Sequence, residues 1–480
     1  MRKCRYRSLE RGQRICSTHQ SVTSVAHDWL LKLWRNPHWQ LPLLFIVVLL
    51  SRLPFLAAGY GANVDAWRVA RVAREIATTG EYSVSRFPGY PVQEIVCSWF
   101  WRGGALTLNA LTALLSAVAV TAFVAIGRKL HHRNAWLSGL ALAATPIFFV
   151  SSVCSKDYMW ALAFVLLSIL CSLHDRSVLT GVLLGLATGC RITALAMALP
   201  LMLILFGGTT SRPRWLVSLR FFFTTALVSL LVFSPVWLRY GTSFFRFYED
   251  HARPSWQTAL TRGTVELWGT VGLIGLGVAA CGLFFQPAKP NPANKWTVPA
   301  LLLAIAIYLA AYLRLPDQAG YLLPIVPLVL ILAQQFTPCR IFQVLCACLL
   351  AAPVVEISRT GLSPGPIFAD QAERLQTMAR IRGFLAYAEE LPGRNTIVVG
   401  GWEPQIAVMA PQLSQGRNHY FYLLDARELS AALQNSDHIF YLPLIREFNY
   451  RVHGLDLARY GALDLHAMFE REQSERARRR

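Results

Sequence analysis

A chain of 480 residues with 54% hydrophobic and only 15% charged residues is not a disordered, collagen-like or coiled-coil protein, nor an ordinary cytosolic enzyme, because soluble chains carry about 25% charged residues. The net charge of +19 could suit a nucleic-acid binder, but the basic residues lie in short loops between apolar runs, which is the pattern of membrane topology, so no nucleic-acid partner is expected. Residues 1–360 hold 32 Lys+Arg against 13 Asp+Glu, whereas residues 361–480 hold 14 of each: a basic membrane part precedes a neutral part of soluble composition.

Residues 1–40 form a basic arm, read as cytoplasmic. Apolar runs fit to cross a bilayer, about 17–25 residues each, lie at 41–58, 105–126, 135–150, 158–173, 217–238, 264–285, 297–313, 321–336 and 341–355, several of them short. Another apolar stretch, Val178 to Phe206, is interrupted at Cys190–Arg191. Arg128, Lys129, Arg133 and Arg176 fall inside, as do Arg212, Arg214 and Arg220, so the stretch 178–206 must contain an even number of passes. It is too short for two full spans at about 1.5 Å per residue. It therefore reads as a sunken helical hairpin with Arg191 at its tip. The expected architecture is mainly α: a polytopic helical bundle of about eleven passes over 41–357, with a small external α/β domain over 361–480.

This alternation puts the loop 59–104 outside. Asp65 opens an amphipathic helix in which Val69, Val72, Ala73 and Ile76 make a stripe expected to lie on the membrane surface. Asn63 is its candidate cap. Arg86-Phe-Pro-Gly-Tyr-Pro91 is a turn-rich segment containing Tyr90. The next outer loop ends in Ser155-Lys156-Asp157, and the last contains Tyr321-Leu-Leu-Pro-Ile-Val-Pro327. Two carboxylates and several arginines thus share one face. Arginine offers a planar fork to phosphate oxygens; a carboxylate can take a proton or hold a divalent cation. Metal use stays open. Glu249-Asp-His251 is tempting as a cluster, but three adjacent residues rarely face one ion. Arg52, near the outer end of the first run, reads as snorkelling to the surface. The bland alternatives are that Asp65 and Asp157 are first-turn helix residues and that Arg191 snorkels.

The order and shared sidedness of these segments resemble the GT-C class of membrane glycosyltransferases, in particular the protein mannosyltransferase and aminoarabinose transferase group. The likeness covers roughly residues 40–340. It implies a glycosyltransferase in a bacterial inner or plasma membrane, passing a sugar from a polyprenyl-phosphate donor to a lipid, glycan or protein acceptor on the outer face. Asp65 and Asp157 are then the catalytic candidates, Arg86 and Arg191 the donor-phosphate ligands, and Tyr90, Lys156 and Tyr321 cavity residues. Departures are Gly320, where relatives often place Arg, and Arg86-Phe87, where aminoarabinose transferases place Glu-Lys. A lipid or lipid-linked-sugar transporter and a polysaccharide ligase are the alternatives. After residue 361, the stretches 395–400, 419–424 and 438–442 read as strands, with helix between, as at Ala426–Leu433.

Overall fold

The computed structural model describes residues 37–208, 213–242, 254–285, 295–358, 361–399, 402–410, 414–415, 418–422, 436–442 and 461–478. The basic arm before Pro37, the Glu249–His251 cluster and the Ala426–Leu433 stretch lie outside the described residues.

The bundle begins with α1 (Pro37–Arg52). The capped α2 (Val64–Thr79) and the short α3 (Pro91–Trp99) follow it. Then come α4 (Gly104–Lys129), α5 (Ala135–Ala144), α6 (Pro146–Ser152), α7 (Tyr158–Ser172) and α8 (Ser177–Cys190). A 3₁₀ segment, Ile192–Met197, leads into α9 (Ala198–Phe206). The long α10 (Arg214–Tyr240) precedes α11 (Trp256–Gly263), α12 (Val265–Trp268) and α13 (Thr270–Phe285). The last apolar helices are α14 (Thr297–Arg314), α15 (Ile325–Phe336) and α16 (Cys339–Ala351).

Three described helices are long and apolar enough to cross a membrane: Trp101–Lys129, Arg214–Tyr240 and Thr297–Arg314. Two bent pairs raise the number to five, and six further apolar helices are shorter. Leu219, Phe223, Leu230, Leu231 and Leu238 of α10 are exposed, Leu238 by 87%. Such a continuous apolar face is suited to lipid. The chain is an integral membrane protein of mainly helical fold.

Two expected single spans are broken. The run 135–150 bends by 67° between α5 and α6. Thr145, with φ −55° and ψ 130°, precedes Pro146 and is pushed out of the helical region. Residues 256–283 bend by 88° at Gly269, whose φ of +73° takes the left-handed region that glycine tolerates. Arg52 does not snorkel. It is 2% exposed and donates through Nε to Ser152 Oγ at 2.9 Å and through Nη2 to the Ala143 carbonyl. Its guanidinium lies over the Phe149 ring. The carbonyl left free where α5 ends supplies the partner.

After α16 comes a hairpin of β1 (Val355–Ser358) and β2 (Gly361–Pro364). The long α17 (Pro366–Glu390) leads to a five-stranded sheet and its helices. These elements are β3 (Asn395–Val399), α18 (Glu403–Met409), β4 (Ser414–Gln415), β5 (Asn418–Tyr422), β6 (His438–Tyr441), β7 (Leu463–Asp464) and α19 (Leu465–Arg478). The order is β4-β5-β3-β6-β7, with β3 central and parallel to β5 and β6. All five residues of β3 are buried, as expected of a central parallel strand. Phe384 and Ala388 of α17 pack on this core with Phe469 of α19.

Candidate active site

Asp65 is positioned by its helix start. Asn63 Oδ1 accepts the Asp65 amide at 2.8 Å, and Gly80 closes α2 with φ +72°. The apolar stripe of α2 does not meet lipid. Val69, Ala70 and Ala73 pack with Cys97, Leu108, Trp160 and Cys190. Buried against protein, the helix holds Asp65 at 4% exposure.

Arg86 is carried by the turn between α2 and α3. The Glu94 carboxylate organises that turn, accepting from Tyr82 Oη at 2.5 Å, the Ser85 amide at 2.7 Å, Ser85 Oγ at 2.6 Å and the Tyr90 amide at 3.0 Å. Gly89 adopts φ +97°, and a Cβ there would lie 3.1 Å from both Val84 and Val236. Asp157 precedes the first residue of α7 and is 1% exposed. Its loop is tied down by Asn109 of α4. The Asn109 side chain accepts from Ser155 Oγ at 2.7 Å and donates to the Leu56 and Gly59 carbonyls at 2.8 and 2.9 Å. Arg191 follows α8 in extended backbone. Gly185 and Gly189 let α8 approach α10 closely, since a Cβ at either would lie 2.6 Å from a valine of α10. That is the small-residue packing usual between membrane helices.

These segments, far apart in sequence, meet at one end of the bundle. Arg86 Nη2 contacts Asp157 Oδ1 at 2.6 Å, and its Nη1 lies 2.9 Å from Asp65 Oδ2. Arg191 Nη1 contacts Asp157 Oδ2 at 2.5 Å. Arg68 reaches Asp65 Oδ1 at 3.2 Å. Tyr90 accepts from Arg86 Nε at 2.8 Å, and the Arg86 guanidinium lies 4.5 Å from its ring centre. Arg191 lies against both Tyr158 and Tyr321, at 4.5 and 4.6 Å from their ring centres. Lys156 sits at the edge, its Nζ 5.6 Å from the Tyr158 ring centre. All seven residues singled out in the sequence are therefore in or beside one cluster.

Gln318 and Tyr158 complete it, and neither carries a signal in the sequence. Gln318 Nε2 donates to Asp65 Oδ2 at 2.8 Å, while its Oε1 accepts from Tyr158 Oη at 2.6 Å. Gly320 has a steric reason: a Cβ there would fall 2.6 Å from the Tyr158 ring. An arginine at that place would evict the ring that stacks on Arg191.

Burial alone would raise the Asp65 carboxyl, but Arg86, the Gln318 amide, Lys156 and Arg68 outweigh it and hold the group below the ordinary carboxylate range. Asp65 is thus held as an anion. Arg86 is disfavoured by burial yet held firmly charged by Tyr90, Asp157 and Asp65. The arrangement offers a divalent cation no oxygen of Asp65 or Asp157 that is not already paired. Among the described residues no three His, Cys, Asp or Glu side chains converge. The oxygens of Asp65 and Asp157 all face arginine or amide donors. An anion suits the cluster better, because Arg86 and Arg191 can exchange a carboxylate for a phosphate oxygen at little cost in geometry.

Residues 99–238 match the sequence model of the dolichyl-phosphate-mannose-protein mannosyltransferases. The match lies in the class that the sequence motifs resemble. It contains Asp157 and Arg191; Asp65, Arg86, Gln318 and Tyr321 lie outside it. No curated protein matches the chain. Among solved structures, the chain is similar to the crystal structure of ArnT from Cupriavidus metallidurans in the apo state, with TM-score 0.45 and 19% identity. That alignment covers 65% of this chain and 59% of the other, less than two thirds of its length.

Proposed function

We propose that this chain is a membrane glycosyltransferase that takes a sugar from a polyprenyl-phosphate donor and passes it to a hydroxyl or phosphate of a lipid, glycan or protein acceptor. The observation that carries the reading is the meeting of Asp65, Arg86, Asp157 and Arg191 at one end of an apolar bundle. The family match over 99–238 supports it independently of Asp65 and Arg86. The face is the outer one, with the N-terminus cytoplasmic and the C-terminus external, in a bacterial inner or plasma membrane. Nucleotide sugars are cytosolic, whereas a lipid-linked sugar can be presented outside.

In this reading the donor phosphate docks between Arg191 and Arg86 and displaces Asp157 from one or both. The aromatic faces of Tyr158 and Tyr321 keep the Arg191 fork in place as its partner changes. Asp65, on the other side of Arg86, takes the proton of the acceptor hydroxyl. The acceptor oxygen forms its bond to the anomeric carbon as the bond from that carbon to the phosphate oxygen breaks. The leaving group is the polyprenyl phosphate, and its new charge falls on the two arginines. Gln318 keeps Asp65 aimed and ionised. The test is transfer by the purified protein in lipid, with a radiolabelled sugar presented either on polyprenyl phosphate or on a nucleotide. Transfer from the lipid-linked donor alone is expected; a requirement for the nucleotide sugar removes the reading.

A further inference from the structure

Arg374, on α17 and outside the cluster described above, is only 1% exposed. Its donors go to three backbone carbonyls of the bundle. Nη1 reaches Val153 O at 2.9 Å and Gly59 O at 3.3 Å, and Nη2 reaches Phe55 O at 3.1 Å. Nε pairs with Asp370 one turn earlier, at 2.9 Å. Val153 caps the C-terminus of α6, and Phe55 ends the 3₁₀ turn that follows α1. Carbonyls at helix C-termini carry partial negative charge, so a guanidinium is well placed there.

The two loops that Arg374 joins are the ones that lead into the site. Phe55–Gly61 runs into α2 and Asp65; Val153 lies four residues before Asp157. The loops are also joined to each other, the Ser155 amide donating to Tyr60 O at 2.9 Å. Asn109 holds the same pair from the α4 side, sharing the Gly59 carbonyl with Arg374. α17 fits closely: a Cβ on Gly59 would lie 3.0 Å from Met378, one turn after Arg374. A second tie, Arg71 with Glu403, joins α2 to α18.

We infer that Arg374 is a positioning residue: from the C-terminal part of the chain it fixes the loops bearing Asp65 and Asp157 at the spacing their shared arginine requires. The C-terminal part thereby sets the geometry of the site without touching substrate. The consequence for turnover rests on the proposed function; the consequence for the loops does not.

The experiment uses the full chain in lipid. Cys154 lies in the pinned loop at 4% exposure, and Cys346 lies in the bundle core on α16 at 0%. N-ethylmaleimide labelling of the two, read by peptide mass spectrometry, reports loop opening against general loosening. In Arg374→Met, Cys154 is expected to label about tenfold faster or more, the size of a lost charge-assisted contact, with Cys346 unchanged. Turnover should fall about tenfold with the donor KM within about twofold. Arg374→Lys, which keeps the charge and can reach one or two carbonyls, should recover part of both. An unchanged Cys154 rate, parallel rises at Cys154 and Cys346, or a lysine variant no better than methionine would each overturn the inference. Asp65→Asn separates the two readings. If it keeps full turnover, the catalytic assignment fails while the labelling result stands. If it abolishes turnover while Cys154 labelling ignores Arg374, the pin fails and the catalytic assignment stands.

Discussion

Glu94 and Asp65 are buried acids at the same end of the bundle, and they are satisfied in opposite ways. Glu94 is 0% exposed and receives four hydrogen bonds, all from neutral donors and all within residues 82–90. Burial pushes its carboxyl above the ordinary range, offset only in part by the Ser85 and Tyr82 bonds. Asp65 is held by Arg86, Arg68 and Gln318, and its carboxyl lies below the ordinary range despite burial. Local neutral donors build a fixed turn. Distant cationic donors build a site whose partners an incoming anion can replace. The first carboxylate makes the shape that carries Arg86; the second is the one to which the proposed function gives the acceptor proton.

The sharpest way to break this contrast is Asp65→Asn, which removes the charge and nearly keeps the shape. Turnover should fall by about 10²–10⁴-fold, the size of a lost general base, with donor binding little changed; the melting temperature should drop as well, because the folded state holds the ionised carboxylate against Arg86 and Arg68. Full turnover would return Asp65 to the role of a helix-start residue. Arg191→Ala comes next. Losing one charge-assisted contact to phosphate, worth about 1.5–3 kcal/mol, should weaken donor binding by roughly one to two orders of magnitude. Equilibrium binding of the lipid-linked donor measures it, and unchanged affinity would leave Arg191 as only a partner for Asp157.

Glu94→Gln should do the reverse of Asp65→Asn. An amide facing four donors leaves some of them unmatched, at a cost of about 1–3 kcal/mol in stability. Turnover per folded molecule should fall by less than about tenfold, because the arginine pairs with Asp157 are untouched. A raised folded pKa means that the contribution of Glu94 is fully present below its unfolded value of 4.5 and is lost as pH rises through the folded value. The stability gap between wild type and variant should therefore be widest in acid and narrow as pH rises. Equal loss of turnover in the two variants, at equal stability, would erase the distinction between the two acids.

The sequence showed the apolar segments and, through their alternation, that Asp65, Arg86, Asp157, Arg191 and Tyr321 belong to one end of the bundle. It also showed β3, β5 and β6, because β-branched and aromatic runs mark buried strands. The bends at Thr145 and Gly269 were missed because hydropathy is continuous across them. The α2 stripe was assigned to lipid because periodicity records that a face is apolar and not what covers it. Gln318, Asn109 and Arg374 are invisible for another reason. Each is defined by partners 253, 46 and 221 residues away, and a local pattern does not say which distant groups a polar side chain will meet. The second strand of the β1–β2 hairpin, Gly-Leu-Ser-Pro, has no strand-like composition.

Gln318 tests the smallest part of the contrast, the fine adjustment of Asp65 by a neutral neighbour. Gln318→Leu removes the hydrogen bond to Asp65 Oδ2 and frees the Tyr158 hydroxyl, while Arg86 and Arg68 stay. The Asp65 carboxyl is depressed, so ionised Asp65 supports folding above its unfolded value of 3.8 and, in the proposed function, activity; both contributions are lost as pH falls through the lower folded value. Removing a lowering influence moves that folded value upward. The acid limb of kcat/KM, which reports the free enzyme, should shift to higher pH in the variant, and turnover at neutral pH should fall by only about fivefold or less. Gln318→Glu should shift the limb further in the same direction, since a second carboxylate beside Asp65 disfavours its ionisation. A limb that stays in place in both variants would show that the arginines alone set the charge of Asp65 and that Gln318 only fills space between α2 and α7.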